Sequence, residues 1–277
     1  MKKNILPGRI VLEILLSAFG LLFMYPVILM LINSIKPFRE VVMDVIALPG
    51  KIEYENYLYV IKYINYPRLF LNNFLITALG IGGIVLFSSM AGYMLSRHKN
   101  GFTKFAYLFY IVPMLIPFQT IMITLLKVSK TLGLSESIPG LGIQYWGFGI
   151  PMAVFIYSGF VGTIPREIDE SALIDGASTV RTFFNIIFPL LRSITATVIA
   201  LDVMWIWNDF LLPLLMVNGS VKTKTLTLAA YTFVGQYNTQ WHYTMTAMVL
   251  AVFPSILFFI FMQKYIIKGV VSGAVKG

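Results

Sequence analysis

The segment Arg166–Ser178 reads REIDESALIDGAS and interrupts a chain that is otherwise dominated by apolar residues. Its first turn is acidic and follows Pro165, which predicts a helix N-terminus, because carboxylates stabilise the positive end of the helix dipole. Gly176 then allows the chain to turn or to approach a partner closely. A second helical pattern, VRTFFNIIF, is predicted to stop at Pro189. The sequence therefore predicts a short helix, a turn and a second helix outside the apolar runs.

The composition around this segment is that of a membrane protein. Of the 277 residues, 58% are hydrophobic and 12% are charged, whereas a soluble domain has about 25% charged residues. A membrane-spanning helix needs roughly 20 mostly apolar residues, and the first run is too long for the core of a signal peptide. We predict an all-α integral membrane protein that forms a single transmembrane domain over 1–277. Its six transmembrane helices are predicted at roughly 10–34, 71–95, 105–126, 148–164, 193–217 and 246–263.

The net charge of +9 is better explained by membrane topology than by binding of nucleic acid. In membrane proteins, Lys and Arg are enriched in cytoplasmic segments. With six spans, the segments on the side of the N-terminus carry twelve of the 21 Lys and Arg residues. Both termini and the segment Arg166–Ser178 are therefore predicted to be cytoplasmic, and the polar stretch between the first two spans to be external. The twelve residues are Lys2, Lys3, Arg9, Arg97, Lys99, Lys104, Arg166, Arg181, Arg192, Lys264, Lys268 and Lys276.

The chain lacks residue types that many enzymes and metal proteins require. It has no cysteine, which excludes disulfides and thiolate metal sites. Its two histidines, His98 and His242, fall in predicted loops far apart in the sequence, so we expect no metal site. A membrane-embedded enzyme would need a nucleophile with a base, or metal ligands, at membrane depth. No His or Cys falls in a predicted span, which argues against such an enzyme.

The acidic helix on the cytoplasmic side has two interpretations. It could lie among the lipid headgroups as an interfacial helix. Such helices usually present Lys and Arg to anionic lipid, however, and this one is acidic. Its small apolar face, formed by Ala172, Leu173 and Ala177, lies beside carboxylates and is better suited to a protein cleft with basic residues. We therefore favour docking to a protein.

The fifth predicted span contains two carboxylates in the stretch SITATVIALDVMWIWNDFLLPLLMV. Asp202, Trp205 and Asp209 are three and four residues apart, which places them on one face of a helix, with Asn208 beside it. Carboxylates inside a span usually face the bundle interior or a wet cavity. An aromatic ring beside a carboxylate and an amide also suits a sugar, which stacks its C–H face and donates hydroxyl protons. Alternatively, these groups satisfy one another or hold a partner subunit.

Weaker signals lie in two other predicted spans. Gln119 in the third span is a further candidate for the substrate pathway. Asn72 and Asn73, at the outer end of the second span, are better explained by caps or hydrogen bonds between helices. Pro113 and Pro117 interrupt the third span, and such breaks either adjust packing or border a cavity.

The spacing of the polar segment matches a known motif. Glu170-Ser171-Ala172, then Gly176, then Ile186 and Pro189 resemble the EAA loop of ATP-binding-cassette importer permeases, here at about 165–192. Ser171 and Phe188 replace an alanine and a leucine of the usual pattern. Resemblance to carbohydrate importer permeases of the maltose-transporter type covers essentially the whole chain. It rests on IPREIDESALIDGAS, WNDFLLPLL at Trp207–Leu215, FLNNFLIT at the start of the second span and the ending GAVKG.

This resemblance implies the smaller permease subunit of an ATP-driven sugar importer in a prokaryotic cytoplasmic membrane. The implied partners are a second, unlike permease, two ATPase subunits or domains, an external sugar-binding protein and membrane lipid. The implied substrate is an oligosaccharide of the maltodextrin or raffinose type. The tail, about 264–277, is implied to contact the ATPase pair. The loop is implied to couple transport to the ATPase through Glu170, Ser171, Ala172, Asp175 and Gly176.

The chain has no Gly-x-x-x-x-Gly-Lys-Ser/Thr phosphate loop of its own. We therefore expect a non-catalytic subunit that binds no cofactor, with ATP and Mg²⁺ bound by the partner ATPase. The alternative hypothesis is an ion-coupled secondary transporter in which Asp202 and Asp209 bind a coupling ion or a proton. Six spans without a visible internal repeat are few for that class, although a dimer could supply the rest.

Overall fold

The computed structural model describes the backbone of residues 7–274 and the side chains of residues 10–264. Within these residues the chain is helical and contains no strand, which confirms the predicted all-α class. The helices are α1 Pro7–Ser34, α2 Phe38–Met43, α3 Glu55–Tyr63, α4 Tyr66–Arg97, α5 Gly101–Ile111, α6 Phe118–Thr131, α7 Ile138–Val161, α8 Glu167–Ile174, α9 Thr179–Thr182, α10 Phe188–Leu190, α11 Arg192–Asn208, α12 Leu211–Met216, α13 Leu226–Tyr231 and α14 Trp241–Ala274.

Between three and five segments of the described chain are long and apolar enough to cross a membrane. Three are single helices, and two more qualify only if a pair of helices joined at a sharp bend is taken as one span. The chain is therefore a multi-pass membrane protein. The single helices are Ile10–Ser34, Tyr66–Arg97 and Trp241–Lys264, and the bent pairs are Gly101–Leu115 with Phe118–Thr131 and Thr179–Leu190 with Arg192–Asn208.

The fourth predicted span, 148–164, corresponds to α7, which is 24 residues long but is not one of these candidates. Glycines, tyrosines and Gln144 lower its hydropathy. Tyr145 and Tyr157 on α7 are nevertheless completely buried in the protein core. A helix that is covered by protein needs fewer strongly apolar side chains than one surrounded by lipid. The number of six spans thus stays a prediction.

The third predicted span, 105–126, is two helices rather than one. The 3₁₀ turn Val112–Leu115 separates α5 from α6, and the two parts are bent by 104°. Pro113 and Pro117 account for this break, because proline cannot donate the N–H that continues a helix and disfavours helical geometry in the residue before it.

The described residues form two compact units. The first consists of the described part of Met1–Tyr66 together with Ala229–Val252. In it, the polar stretch after α1 is held by the completely buried Lys36. The Lys36 Nζ donates to the carbonyl of Asp44 at 3.0 Å, and the Asn33 Nδ2 donates to the carbonyl of Val45 at 2.9 Å. This stretch is therefore a folded structure with its own hydrogen bonds.

Aromatic rings pack α3 against the start of α14 in the same unit. The ring of Tyr59 lies 4.4 Å from that of Tyr243, which lies 3.8 Å from the ring of His242. His242 is buried in the first turn of α14, inside a candidate span, so its prediction as a loop residue was wrong. The helix begins earlier than the apolar run, because protein contacts rather than lipid cover its polar first turn.

The second unit consists of Pro67–Leu228 and the described part of Phe253–Gly277. Its core packs α4, α7 and α11 together. At Gly92 of α4, an added Cβ would lie 2.6 Å from the Cβ of Tyr157, so only glycine allows this approach to α7. The Asn72 Nδ2 donates to the carbonyls of Lys222 and Lys224, at 3.0 and 2.9 Å, and the Asn73 Nδ2 donates to a backbone carbonyl of α11. The prediction that these asparagines form structural hydrogen bonds is confirmed.

Some predictions concern side chains that lie outside the described residues. These are the contacts of the tail after Lys264 and the positions of five basic residues near the termini. The five are Lys2, Lys3, Arg9, Lys268 and Lys276.

Candidate functional site

The first part of the candidate site is the segment REIDESALIDGAS in the second unit. The helix α8 carries three carboxylates in its first turn, as predicted. The chain leaves the helix through Gly176, whose φ of +78° lies in the left-handed region that favours glycine. The amide of Ala177 donates to the carbonyl of Ala172 at 2.9 Å, which closes the end of the helix. The predicted helix and turn are therefore present.

Four of the five predicted coupling residues are exposed, and only Ala172 is buried. Leu173 was predicted to belong to a small apolar face, but it is 56% exposed, and Ile174 beside it is 86% exposed. Two large apolar side chains in the open beside carboxylates form a surface of the kind that a protein partner covers. The four exposed residues are Glu170, Ser171, Asp175 and Gly176.

One acidic residue of this segment has a different environment, and no pattern in the sequence indicated it as a site residue. Asp169 forms an ion pair with Arg97, the last residue of α4, at 2.7 Å between Oδ2 and Nη2. The Tyr93 hydroxyl donates a hydrogen bond to Asp169 Oδ1. The only sequence signal was an arginine at the end of one span and one extra carboxylate 72 residues later. Such a pair cannot be recognised without the tertiary structure.

The second predicted helix of the segment is irregular. After α9, residues Phe183–Ile187 form the wider turns of a π-helix, and α10 continues to Leu190. The prediction that the helix stops at Pro189 was therefore wrong. The π turns change the hydrogen-bond pattern just before Pro189, which has no N–H to donate, so the helix continues past it. Phe183 and Ile187 are buried in the core of the second unit, which fixes this helix in place.

The second part of the candidate site is a cavity of about 200 Å³ in the second unit. Three predicted pathway residues line it, namely Gln119 at the start of α6, Trp205 on α11 and Asp209 just after α11. The break between α5 and α6 therefore borders this cavity, which favours the second of the two predicted roles for Pro113 and Pro117. The remaining lining residues are Phe118, Phe148, Leu211 and Leu212.

Asp209 lies beyond the end of α11 rather than on its surface. It is extended, with φ of −66° and ψ of 135°, and a separate helix, α12, follows. The predicted continuous span 193–217 and its shared face of Asp202, Trp205 and Asp209 were therefore wrong. Pro213 explains the break, because a helix would require it to donate to the carbonyl of Asp209 four residues earlier.

The contacts of Asp209 hold its carboxylate in place. Its Oδ1 accepts a hydrogen bond from the amide of Leu211 at 3.0 Å, and its Oδ2 accepts one from the hydroxyl of Tyr145 at 2.9 Å. Its backbone carbonyl, which cannot be satisfied by Pro213, accepts from the Thr227 Oγ1 at 2.8 Å. The carboxylate is thus oriented by the protein before any ligand arrives.

The other two predicted pathway residues do not line this cavity. The Asn208 Nδ2 donates to the carbonyl of Met204 at 2.7 Å, and its Oδ1 accepts from the Ser255 Oγ at 3.1 Å. Asp202 is half-buried on α11, near Gly149 of α7. The structure therefore brings Gln119, Trp205 and Asp209 together in the cavity, whereas Asp202 and Asn208 do not line it.

The lining of the cavity is suited to a ligand with many hydroxyl groups. The Trp205 ring packs edge-on against Tyr145, with 5.5 Å between centroids, and remains 41% exposed. An exposed indole can stack on the C–H face of a sugar, and a carboxylate and a carboxamide can accept its hydroxyl protons. A site for a small molecule usually has roughly 300–1,000 Å³, so this cavity is smaller than a complete site of that kind.

Comparison with known proteins agrees with this architecture. Residues 84–272 match the family model described as "Binding-protein-dependent transport system inner membrane component". The chain is 39% identical over 258 residues, 93% of each chain, to the "Probable starch degradation products transport system permease protein AmyC" of Thermoanaerobacterium thermosulfurigenes. It is 34% identical over 230 residues, 83% of each chain, to the melibiose/raffinose/stachyose import permease protein MelC of Bacillus subtilis.

A solved structure shows the same fold. It is a chain in the crystal structure of a bacterial ABC transporter involved in the import of the acidic polysaccharide alginate. The TM-score is 0.78 at 21% identity, over 92% of the present chain and 95% of the other. The chain therefore belongs to the family of binding-protein-dependent transport system inner membrane components, which are the permease subunits of ABC importers.

Proposed function

We propose that the chain is one of two unlike permease subunits of an ATP-binding-cassette importer for an oligosaccharide. The observation that carries this proposal is the similarity of the chain, over most of its length, to two permeases. Their names refer to starch degradation products and to melibiose, raffinose and stachyose. A third relative, at 32% identity over 266 residues, is the multiple sugar-binding transport system permease protein MsmG of Streptococcus mutans. The indole, carboxylate and carboxamide of the cavity support the same substrate class.

In this proposal the chain crosses the cytoplasmic membrane of a prokaryote six times, with both termini in the cytoplasm. The bent pair of α5 and α6 counts as one span, and α7 counts as another. The helix α8 then faces the cytoplasm and docks on a separate ATPase subunit, which binds ATP and Mg²⁺. The exposed Glu170, Asp175, Leu173 and Ile174 support this docking, because they offer charge and apolar area to a partner.

Transport follows from rigid-body motion of the subunits. An external binding protein delivers the sugar to a pathway between the two permeases, and closure of the ATPase pair on ATP moves the docked helices. The pathway then opens to the opposite side of the membrane. The cavity of this subunit contributes one wall of the pathway, and the partner permease contributes the remainder of the ligand contacts.

Reconstitution of the complex tests the proposal. The chain is purified with the subunits that co-purify with it, placed in proteoliposomes and supplied with the binding protein and with labelled maltotriose or raffinose. We expect that uptake requires ATP. We also expect that the loaded binding protein stimulates the hydrolysis of ATP by the complex. Uptake that persists without ATP and follows a proton gradient would show instead an ion-coupled transporter.

A further inference from the structure

The buried ion pair between Arg97 and Asp169 joins two elements that are far apart in the sequence. Arg97 is the last residue of α4, and Asp169 lies in the first turn of α8. Their charged groups approach to 2.7 Å, and the side chains are only 9% and 14% exposed. Tyr93, one turn earlier on α4, donates a second contact to the same carboxylate. The end of α4 therefore binds α8 through two side chains.

Arg97 also connects both elements to the end of α7. Its Nη1 donates to the carbonyl of Ile164 at 3.0 Å and to that of Val161 at 3.4 Å. In return, the Nη2 of Arg166, the residue before α8, donates to the carbonyl of Arg97 at 3.1 Å. One guanidinium thus joins the ends of α4 and α7 to the start of α8.

Apolar packing holds α8 only weakly. The helix has eight residues, of which Ala172 is the one buried side chain, and Ile168 is partly buried against the core. An ion pair that is removed from water often adds little net stability compared with well-packed apolar residues, because both charges lose their hydration. Such a pair does fix the orientation of, and the distance between, the two elements that it joins, since breaking it leaves an unpaired charge inside the protein. Its main effect on α8 is therefore on position.

We propose that Arg97 and Asp169 are positioning residues that make α8 move as one body with the end of α4, so that displacement of α8 by a partner is transmitted to that span. This inference rests on the proposed function, in which α8 docks on the ATPase. Loss of the pair leaves the docking surface intact, because Glu170, Leu173, Ile174 and Asp175 do not take part in it. The ATPase then still binds and hydrolyses ATP, but its motion no longer reaches the pathway.

The experiment restores a positive charge chemically at position 97. The chain has no cysteine, so Arg97→Cys introduces a unique thiol into this subunit. A cavity of about 430 Å³ that Arg97 and Lys99 line gives reagents access to this position. The reconstituted complex is treated either with aminoethyl methanethiosulfonate, which attaches an ammonium group, or with methyl methanethiosulfonate, which attaches a neutral group. The wild-type complex is treated with both reagents in parallel, which accounts for cysteines of the other subunits.

The expected result is a loss of coupling that only the charged group reverses. The ratio of sugar taken up to ATP hydrolysed should fall about tenfold in Arg97→Cys, and the aminoethyl adduct should recover most of it. Asp169→Asn should lower the same ratio while the ATPase still co-purifies. Glu167→Gln is the matched control, because it removes one negative charge from an exposed side chain in the same helical turn, and it should leave the ratio unchanged.

Three results would overturn the inference while the proposed function stands. The first is a normal ratio in Arg97→Cys or Asp169→Asn, and the second is equal recovery with the neutral and the charged adduct. The third is loss of the ATPase from the Asp169→Asn complex, which would mean that the pair holds the docking surface itself together. If the wild-type complex shows no ATP-dependent uptake, it is the proposed function that fails.

Discussion

The hydroxyl of Tyr145 donates a 2.9 Å hydrogen bond to the Oδ2 of Asp209, which lies 64 residues further along the chain. Tyr145 is completely buried on α7, whereas Asp209 follows the break that Pro213 imposes after α11. The bond therefore fixes the carboxylate of the candidate cavity to a rigid helix of the core. Two structural causes, a break in one helix and a donor on another, place this group where a ligand can reach it.

Tyr145→Phe should reduce stability without removing the carboxylate. The change leaves a partly buried oxygen of Asp209 without its side-chain donor, and such a loss typically costs about 1–3 kcal/mol. We expect a lower unfolding temperature for the purified protein in detergent. Tyr237→Phe is the matched control, since Tyr237 is 94% exposed. Equal unfolding temperatures for the two variants would contradict a stabilising role for the bond.

Trp205→Ala should lower uptake of the oligosaccharide by about three- to tenfold, which corresponds to the loss of one aromatic stacking contact. The rate is measured in proteoliposomes at a limiting concentration of loaded binding protein. Trp241→Ala serves as the control, because Trp241 is exposed to a similar extent, 46%, and belongs to the first unit. A similar decrease in both variants would indicate a general loss of folding rather than a substrate contact.

The two carboxylates near α11 should respond differently to amide substitution. Asp209→Asn keeps one acceptor oxygen for the Leu211 amide and places an NH2 group opposite the Tyr145 hydroxyl, which can accept from it. The change removes the charge from the cavity, so uptake should fall. Asp202→Asn should leave uptake within about twofold, a difference of under 0.5 kcal/mol, because Asp202 does not line the cavity. Complete loss of uptake in Asp202→Asn alone would instead support the ion-coupled alternative.

Gly176→Val should uncouple ATP hydrolysis from uptake. Its φ of +78° is unfavourable for a residue with a Cβ by about 1–2 kcal/mol, and the strain is relieved if the turn after α8 changes shape. Gly133→Val is a matched control, because Gly133 has φ of +67° and, like Gly176, open space around its Cα. We expect both variants to lose similar stability, and only Gly176→Val to lose coupling.

Gly176→Asn refines this test. Asparagine adopts the left-handed conformation more readily than valine, so Gly176→Asn should retain more coupling than Gly176→Val. If the two variants are equally defective, the backbone conformation of the turn does not cause the loss of coupling. The size of the added side chain is then the cause.

Asp44 should make the stretch after α1 sensitive to acid. Its Oδ1 accepts hydrogen bonds from the amides of Ala47 and Ile46, which lower the pKa of this carboxyl below its ordinary value. The stabilisation that these two hydrogen bonds give the folded chain is therefore present above the pKa that Asp44 has in the unfolded chain. It is lost as the pH falls through the lowered pKa that Asp44 has in the folded chain. Hydrogen exchange at these two amides, corrected for the intrinsic effect of pH, should become faster over that acidic range. Asp44→Asn should remove this pH dependence, and an unchanged profile in the variant would contradict the assignment.

The helical class, the regions of most spans and the acidic helix with its turn are local properties, and they could be predicted from the sequence. Apolar runs of sufficient length indicate membrane helices whatever they pack against. The acidic first turn and Gly176 indicate α8 and its end, because dipole and backbone preferences act within a few residues. The break between α5 and α6 has the same local cause, in Pro113 and Pro117, although the prediction kept 105–126 as one span.

The functional arrangement depends on long-range contacts that no local pattern contains. Asp209 follows a helix break whose cause, Pro213, is local, but its donor Tyr145 comes from another helix, and Gln119 reaches the same cavity from a third. The spacing in the sequence predicted that Asp209 and Asp202 lie on one face, which holds only if a single uninterrupted helix contains both. The pairing of Arg97 with Asp169 is long-range as well. The amino-acid sequence thus specifies the helices and their ends, whereas packing of the helices selects which polar side chains meet, because charges buried away from water must find partners wherever the fold brings them.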